Sequence, residues 1–169
     1  MTIRRIMAVM ALAAVGALGC GPASMPASSR HPLAGGHAPE FRGTSTKGRD
    51  VSVPGVGRTK ATLVCFWASW CPTCQGALPG LDAIWLDHKR DGLMFIGVSV
   101  DDSEKHAVSM AAELGTSFPI VMDDGQRLMS QYSVGKVPML FVIDQTGTVR
   151  WTGRDPSAAR DAVEAVLAE

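Results

Sequence analysis

The stretch FWASWCPTCQGALP constrains the fold more than any other part of the chain. Its two cysteines, Cys71 and Cys74, follow a continuous β-branched and aromatic run over residues 62–67. Such a run is typical of a strand that is buried on both faces. The residues after the pair favour a helix over about 74–89, which we expect Pro79 to interrupt. The sequence therefore predicts a strand, a cysteine pair and a helix in direct succession.

Strand and helix patterns alternate through the rest of the chain. Strands separated by helices imply a central sheet with helices on both faces, here ending in an antiparallel hairpin. We therefore predict an α/β fold with regular structure from about Phe41. The other predicted strands are 49–53, 93–100, 118–124, 138–144 and 149–153. The other predicted helices are one with Asp102 or Ser103 as its N-cap and Gly115 as its stop, one over 126–132, and one over 156–167 that is capped by Asp155.

The N-terminus has the features of an export signal. Arg4 and Arg5 precede an apolar run over residues 6–19, which is shorter than the ~20 residues that span a bilayer. The run fits the apolar region of a signal peptide, which we place at residues 1–19. Its ending, ALGC, resembles a bacterial lipobox, and this resemblance implies that Cys20 is lipidated. Ordinary cleavage at a nearby small residue and an uncleaved anchor are the alternatives.

Residues 20–37 are rich in Gly, Pro, Ser and Ala, which predicts a flexible tether before a folded domain at 38–169. Export places that domain outside the cytoplasm, at the periplasmic face of a membrane, where thiols tend to oxidise. If Cys20 carries lipid, three cysteines remain and one thiol is unpaired. The 16 basic and 16 acidic side chains balance, so nucleic-acid binding is not expected.

The predicted position of Cys71 is the N-terminus of the helix. Unpaired backbone N–H groups and the helix dipole stabilise a thiolate there, the reactive form of cysteine. Cys74 lies one turn further along the chain, close enough to attack a mixed disulfide on Cys71. We therefore predict that Cys71 is the nucleophile, Cys74 is the resolving thiol, and Pro72 fixes the first turn.

Other uses of a CxxC spacing fit less well. A structural zinc site needs four ligands, and no second Cys or His pair stands at a matching spacing. Covalent haem attachment needs a His after the second cysteine, where this chain has Gln75. An inert bridge remains possible, although so small a loop yields little entropic stabilisation. We predict a redox pair, with no metal ligands and no cofactor.

The segments FWASWCPTC, FPIVMD and YSVGKVPMLFVID together resemble the TlpA/ResA-like branch of the thioredoxin superfamily, over residues 38–169. The resemblance implies a thioredoxin fold: a central mixed sheet flanked by helices, with an added N-terminal β-hairpin. It implies that Cys71 and Cys74 form the redox-active disulfide and that Pro138 is a cis-proline facing them. It also implies that a client, the protein whose disulfide is exchanged, would contact a surface formed by Trp70, Pro72, Val137 and Pro138.

Three positions depart from the family pattern. Cys65 stands where relatives often have Asn or Asp, Ala77 where several have Glu, and Met139 where Thr commonly follows the cis-proline. Both usual carboxylates that could take the proton of Cys74 are therefore absent. We expect Cys65 to be a buried, inert thiol.

The function implied by the resemblance is that of a membrane-tethered, extracytoplasmic thiol-disulfide oxidoreductase. By family analogy it is a reductant, recharged by a membrane thiol-transfer reductase and acting on apocytochrome c or a copper-site protein. Two alternatives stay open. Thiolates near some of the nine methionines would suit Cu(I) handling. A thiol peroxidase would need Thr three residues and Pro seven residues before the reactive cysteine, where this chain has Ala68 and Val64.

Overall fold

The structure is a computed structural model that describes residues 24–169. The predicted signal peptide and Cys20 lie outside the described residues. None of the helices within 24–169 has the length and apolar character needed to cross a membrane. The elements are β1 (Phe41–Thr44), β2 (Asp50–Val53), β3 (Ala61–Trp67), α1 (Pro72–His88), β4 (Leu93–Ser99), α2 (Glu104–Glu113), β5 (Ile120–Met122), α3 (Arg127–Gln131), β6 (Met139–Asp144), β7 (Val149–Gly153) and α4 (Pro156–Leu167).

The centre of the fold is a five-stranded mixed sheet in the order β5-β4-β3-β6-β7. Strands β3, β4 and β5 are parallel, whereas β6 runs antiparallel to both β3 and β7. Every residue of β3 is buried, as expected for the central strand of a sheet covered on both faces. Phe66, near the end of β3, pairs with Met139 at the start of β6. This register brings the loops around Cys71 and Pro138 to the same end of the sheet.

Strands β1 and β2 form the separate N-terminal hairpin that the family resemblance implies. They pair antiparallel from Phe41 opposite Val53 to Thr44 opposite Asp50. Gly48 turns the chain between them with a φ of +71°, a conformation that favours glycine. The predicted fold class, a thioredoxin-like mixed sheet flanked by helices with an added hairpin, is confirmed.

The first helix differs from the sequence prediction. It starts at Pro72, earlier than expected, and it continues through Pro79 to His88. The predicted interruption at Pro79 is therefore wrong. Pro79 is exposed on the outer face of the helix, whereas Leu78 and Leu81 beside it are fully buried. Proline has no backbone N–H to donate within the helix, and the packing of the buried face stabilises the helix despite this loss.

The ends of the other long helices follow the predicted signals. Ser103 occupies the N-cap position of α2 without a capping hydrogen bond from its side chain, and Gly115 ends the helix with a φ of +66°. Asp155 caps α4 by accepting a hydrogen bond from the Ser157 N–H at 2.8 Å, and Pro156 occupies the first turn. These local signals were sufficient because each acts within one turn of helix.

Residues 27–37, which we call the N-terminal segment, lie along the outer edge of β7. The Ser29 N–H donates to the Thr152 carbonyl at 2.7 Å. At the other end of β7, Val149 exchanges backbone hydrogen bonds with Gly35 and Gly36 at 2.8–2.9 Å. The segment thus covers an edge strand that would otherwise present unpaired backbone groups. The prediction of a tether over 20–37 did not include these contacts, and the domain boundary at residue 38 stays a prediction.

Candidate functional site

The two cysteines of the CxxC motif lie where β3 leads into α1. Cys71 is the N-cap residue of α1, with extended backbone angles, and its Sγ accepts a hydrogen bond from the Cys74 N–H at 3.2 Å. The two sulfurs are joined as a disulfide. Only 6% of Cys71 is exposed, and Cys74 is fully buried. An N-cap sulfur next to a backbone donor is placed to be stabilised as a thiolate once the bridge is reduced.

The loop before β6 faces this pair. The Val137–Pro138 peptide bond is cis, as the resemblance implied, and the Val137 carbonyl oxygen lies 3.8 Å from the Cys71 Sγ. Pro138 is buried and Val137 is half-buried. The chain enters β6 at Met139, so no strand partner occupies the backbone of Val137. The Val137 N–H forms no hydrogen bond with a described residue, so this donor is available to an extended client chain.

The two tryptophans before the pair differ in exposure. Trp67 is buried within β3, whereas 66% of Trp70 is exposed directly before Cys71. Pro72, on the other side of Cys71, is also exposed. The exposed indole and pyrrolidine rings give the surface beside the sulfur an apolar character that suits contact with a protein chain.

Sequence reasoning missed the carboxylate that supports the loop before Cys71. Asp101, buried just after β4, accepts hydrogen bonds from the Ser69 N–H at 3.0–3.1 Å and from the Ser69 hydroxyl at 2.7 Å. The Ser99 hydroxyl also donates to Asp101, at 2.8 Å. Gln75 of α1 donates to the Ser69 carbonyl at 2.7 Å. A signal for Asp101 is present in the sequence, because it comes just after the carboxyl end of β4, which is parallel to β3. The carboxyl ends of parallel strands meet at one edge of a sheet, so Asp101 could have been expected near the loop after β3.

The third thiol of the domain is separate from the site. Cys65 is fully buried in β3, and burial strongly raises the pKa of its thiol. It pairs in register with Leu140 of β6 and Gly97 of β4, so it lies inside the sheet. The expected burial of Cys65 is confirmed. Across residues 24–169, the structure contains no group of three or more His, Cys, Asp or Glu side chains arranged to hold a metal ion.

Comparison with known proteins agrees with this geometry. Residues 34–152, well over half of the chain, match the AhpC/TSA family. The chain belongs to that family. The predicted resemblance to ResA-like members of the thioredoxin superfamily is also confirmed, because the similar proteins carry ResA-type names.

Two relatives and one solved structure show the extent of the similarity. The thiol-disulfide oxidoreductase ResA of Geobacillus kaustophilus is 30% identical over 116 residues, 69% of this chain and 66% of that protein. The sporulation thiol-disulfide oxidoreductase A of Bacillus subtilis is 29% identical over 121 residues, 70% of this chain and 72% of that protein. The crystal structure of a putative thiol:disulfide interchange protein DsbE from Chlorobium tepidum superposes with a TM-score of 0.71 at 25% identity, covering 79% of this chain and 97% of that one.

The similarity covers only part of the length of the ResA relatives. The matched region spans just under two thirds, 66%, of the first ResA relatives. The activity, clients and partners of this protein are therefore matters for proposal. Of the predicted site residues, the structure brings Trp70, Cys71, Cys74, Val137 and Pro138 together at one end of the sheet.

Proposed function

We propose that this protein is an exported thiol-disulfide oxidoreductase that uses Cys71 and Cys74 to reduce a disulfide in a client protein. The observation that carries the proposal is the position of the Cys71 sulfur. It caps α1, accepts the Cys74 N–H, and faces the cis-proline loop beside an exposed tryptophan. The names of the ResA relatives support the same chemistry.

The reaction begins with the reduced protein. The Cys71 thiolate attacks one sulfur of a client disulfide, which breaks that bond, forms a mixed disulfide and releases one client thiolate. Cys74 gives up its proton to solvent, and its thiolate then attacks the Cys71 sulfur, closing the Cys71–Cys74 bridge and releasing the second client thiolate. Two electrons pass to the client, and each departing thiolate takes a proton from solvent according to its pKa.

The resting disulfide must be reduced again for a second turnover. By family analogy, the electron donor is a membrane thiol-transfer reductase, which the predicted export signal and lipidation of Cys20 would bring close. Apocytochrome c or the thiols of a copper site are the analogous clients. The exposed ring of Trp70, Pro72 and the backbone of Val137 would form the contact surface for an extended client segment.

Alkylation of the reduced protein tests the assignment of the two thiols. We expect iodoacetamide at neutral pH to label Cys71 about ten-fold or more faster than Cys74, because only Cys71 has both helix-terminal activation and some exposure. Cys65 is an internal control that should stay unlabelled until the protein unfolds. Faster labelling of Cys74 would reverse the roles.

A trapping experiment and a potential measurement test the direction of exchange. Cys74→Ala should accumulate mixed disulfides with clients on non-reducing gels, and the double variant with Cys71→Ala should accumulate none. Equilibration with glutathione should give a potential near that of thioredoxin, about −270 mV. A potential above about −180 mV would identify an oxidant or isomerase instead.

A further inference from the structure

Arg154 binds the cis-proline loop from the end of the neighbouring strand, β7. It directly follows Gly153, the last residue of β7. Its Nε donates to the Pro138 carbonyl at 3.0 Å, and its Nη2 donates to the Val137 carbonyl at 2.8 Å. One guanidinium group thus holds two successive carbonyl groups, which its planar fork allows and a lysine ammonium would not reproduce.

The same Val137 carbonyl also faces the reactive sulfur. Its oxygen lies 3.8 Å from the Cys71 Sγ, so a single oxygen atom separates the guanidinium from the sulfur. A carbonyl oxygen has a partial negative charge, which would disfavour a thiolate beside it. The positive charge of Arg154 offsets that effect, because opposite charges nearby favour the ionised form of an acid.

Arg154 differs from the other arginines around it in its partners. Arg150 pairs with Asp144 and Glu169, and Arg160 pairs with Asp87 and Glu164. Among the described residues, Arg154 forms no ion pair with a carboxylate within 4 Å. Its charge is therefore not neutralised locally, and its hydrogen bonds go to the loop that faces Cys71.

Three other titratable groups lie in the segments around Cys71: Cys74, Asp101 and Lys136. On α1, the titratable neighbour of Cys71 is Cys74, which forms the bridge. From the end of β4, the Asp101 carboxylate binds Ser69 and acts against a thiolate. Lys136 is exposed in the loop before Val137, and no hydrogen bond or ion pair of its side chain to a described residue is present.

We propose that Arg154 is a positioning residue for the Cys71 thiol, holding the Val137–Pro138 carbonyls in place and favouring the thiolate. The inference rests on the proposed function, since it specifies how this site is tuned. Arg154 does not touch the reacting sulfur. It acts through the Val137 carbonyl, and the charge and the fork geometry both contribute.

Neutralising Arg154 should change the pH profile of Cys71 without removing the cysteines. Because Arg154 is solvent-exposed, the pKa of Cys71 should rise by only about half a unit in Arg154→Met. At a pH below that pKa, alkylation of Cys71 should slow about two-fold. The fraction of Cys71 present as thiolate falls, but each thiolate is more nucleophilic because its pKa is higher, which offsets part of the loss. The equilibrium with glutathione should shift two- to three-fold toward the Cys71–Cys74 disulfide, since the reduced state loses stabilisation.

The test is the pH dependence of iodoacetamide reaction with Cys71 in the reduced full chain, together with urea unfolding. Arg154→Lys, which keeps the charge but loses the fork, should restore part of the pKa shift. Arg160→Met is the matched control for loss of a surface arginine. Arg154→Gln serves as a second neutral variant in case the Met variant folds poorly. A pKa in both neutral variants that equals that of Arg160→Met would overturn the proposal. A wild-type Cys71 pKa near 8.5 would instead count against the proposed function, because no activation would exist to tune.

Discussion

Replacing Asp101 should loosen the loop that positions Cys71, and it should also destabilise the fold. The carboxylate is buried and accepts from the Ser69 N–H, the Ser69 hydroxyl and the Ser99 hydroxyl. Hydrogen bonds to a charged group contribute about 1.5–3 kcal/mol each, but they are not additive. Water can reach half-buried Ser69 after substitution, and removing a buried charge recovers some desolvation energy. We therefore expect Asp101→Ala to lower the free energy of unfolding by about 2–4 kcal/mol.

Urea unfolding of the oxidised protein measures this effect. With an m-value of about 2 kcal/mol/M, in the middle of the range for small proteins, the midpoint should fall by about 1–2 M, and the melting temperature should fall by about 5–15 °C. Asp101→Asn, which can still accept from the Ser69 N–H, should lose less. Asp102→Ala is the matched control, because Asp102 is exposed and its removal should change stability by less than about 0.5 kcal/mol.

The same variants separate support of the fold from support of the site. In reduced Asp101→Ala, the alkylation rate of Cys71 should change under conditions in which the protein is still folded, because Ser69 also binds Gln75 of α1. If Asp101→Ala and Asp102→Ala unfold at the same urea concentration and label at the same rate, the carboxylate network has no energetic role and our reasoning is refuted.

Two further predictions concern regions away from the cysteines. Burial opposes ionisation of Asp144, but hydrogen bonds from Thr146, Thr148 and Arg150 hold its pKa below the usual value. Asp144→Asn should therefore destabilise the protein at neutral pH. Urea titrations should show this loss of stability vanishing as the pH falls through the lowered pKa. A protein that begins at residue 38, without the N-terminal segment, should unfold at a lower urea concentration and self-associate through the uncovered edge of β7. A protein that begins at residue 27 should do neither. Equal light scattering from the two proteins would show that the segment does not protect this edge.

The sequence was informative wherever a signal lay within a few residues of its effect. The continuous apolar run of β3, the caps of α4 and the glycine after α2 all act locally, and each was predicted close to its observed place. The helix α1 was less predictable, because tertiary packing of Leu78 and Leu81 outweighs the effect of Pro79.

The parts of the site that escaped prediction depend on contacts between distant segments. Asp101 reaches Ser69 from the loop after β4, and Arg154 reaches the cis-proline loop from the end of β7. The N-terminal segment binds through backbone groups and through the hydroxyls of Ser28 and Ser29, and neither has a residue-specific signature in a stretch of small polar residues. The cis bond at Pro138 was predictable only because the surrounding motif resembles a known family.

The route of the N-terminal segment decides where a label or fusion partner can be attached. The segment joins β7 through Ser29, which binds Thr152 near the end of the strand that leads into Arg154. Glu169 lies at the opposite end of the sheet, where it pairs with Arg150. A fluorescent protein or an immobilisation handle attached at Ser29 would therefore lie at the end of β7 that leads to Arg154 and the cis-proline loop, on the approach of an incoming chain. The same handle fused after Glu169 would leave that approach open, which makes the C-terminus the better position for binding and exchange assays.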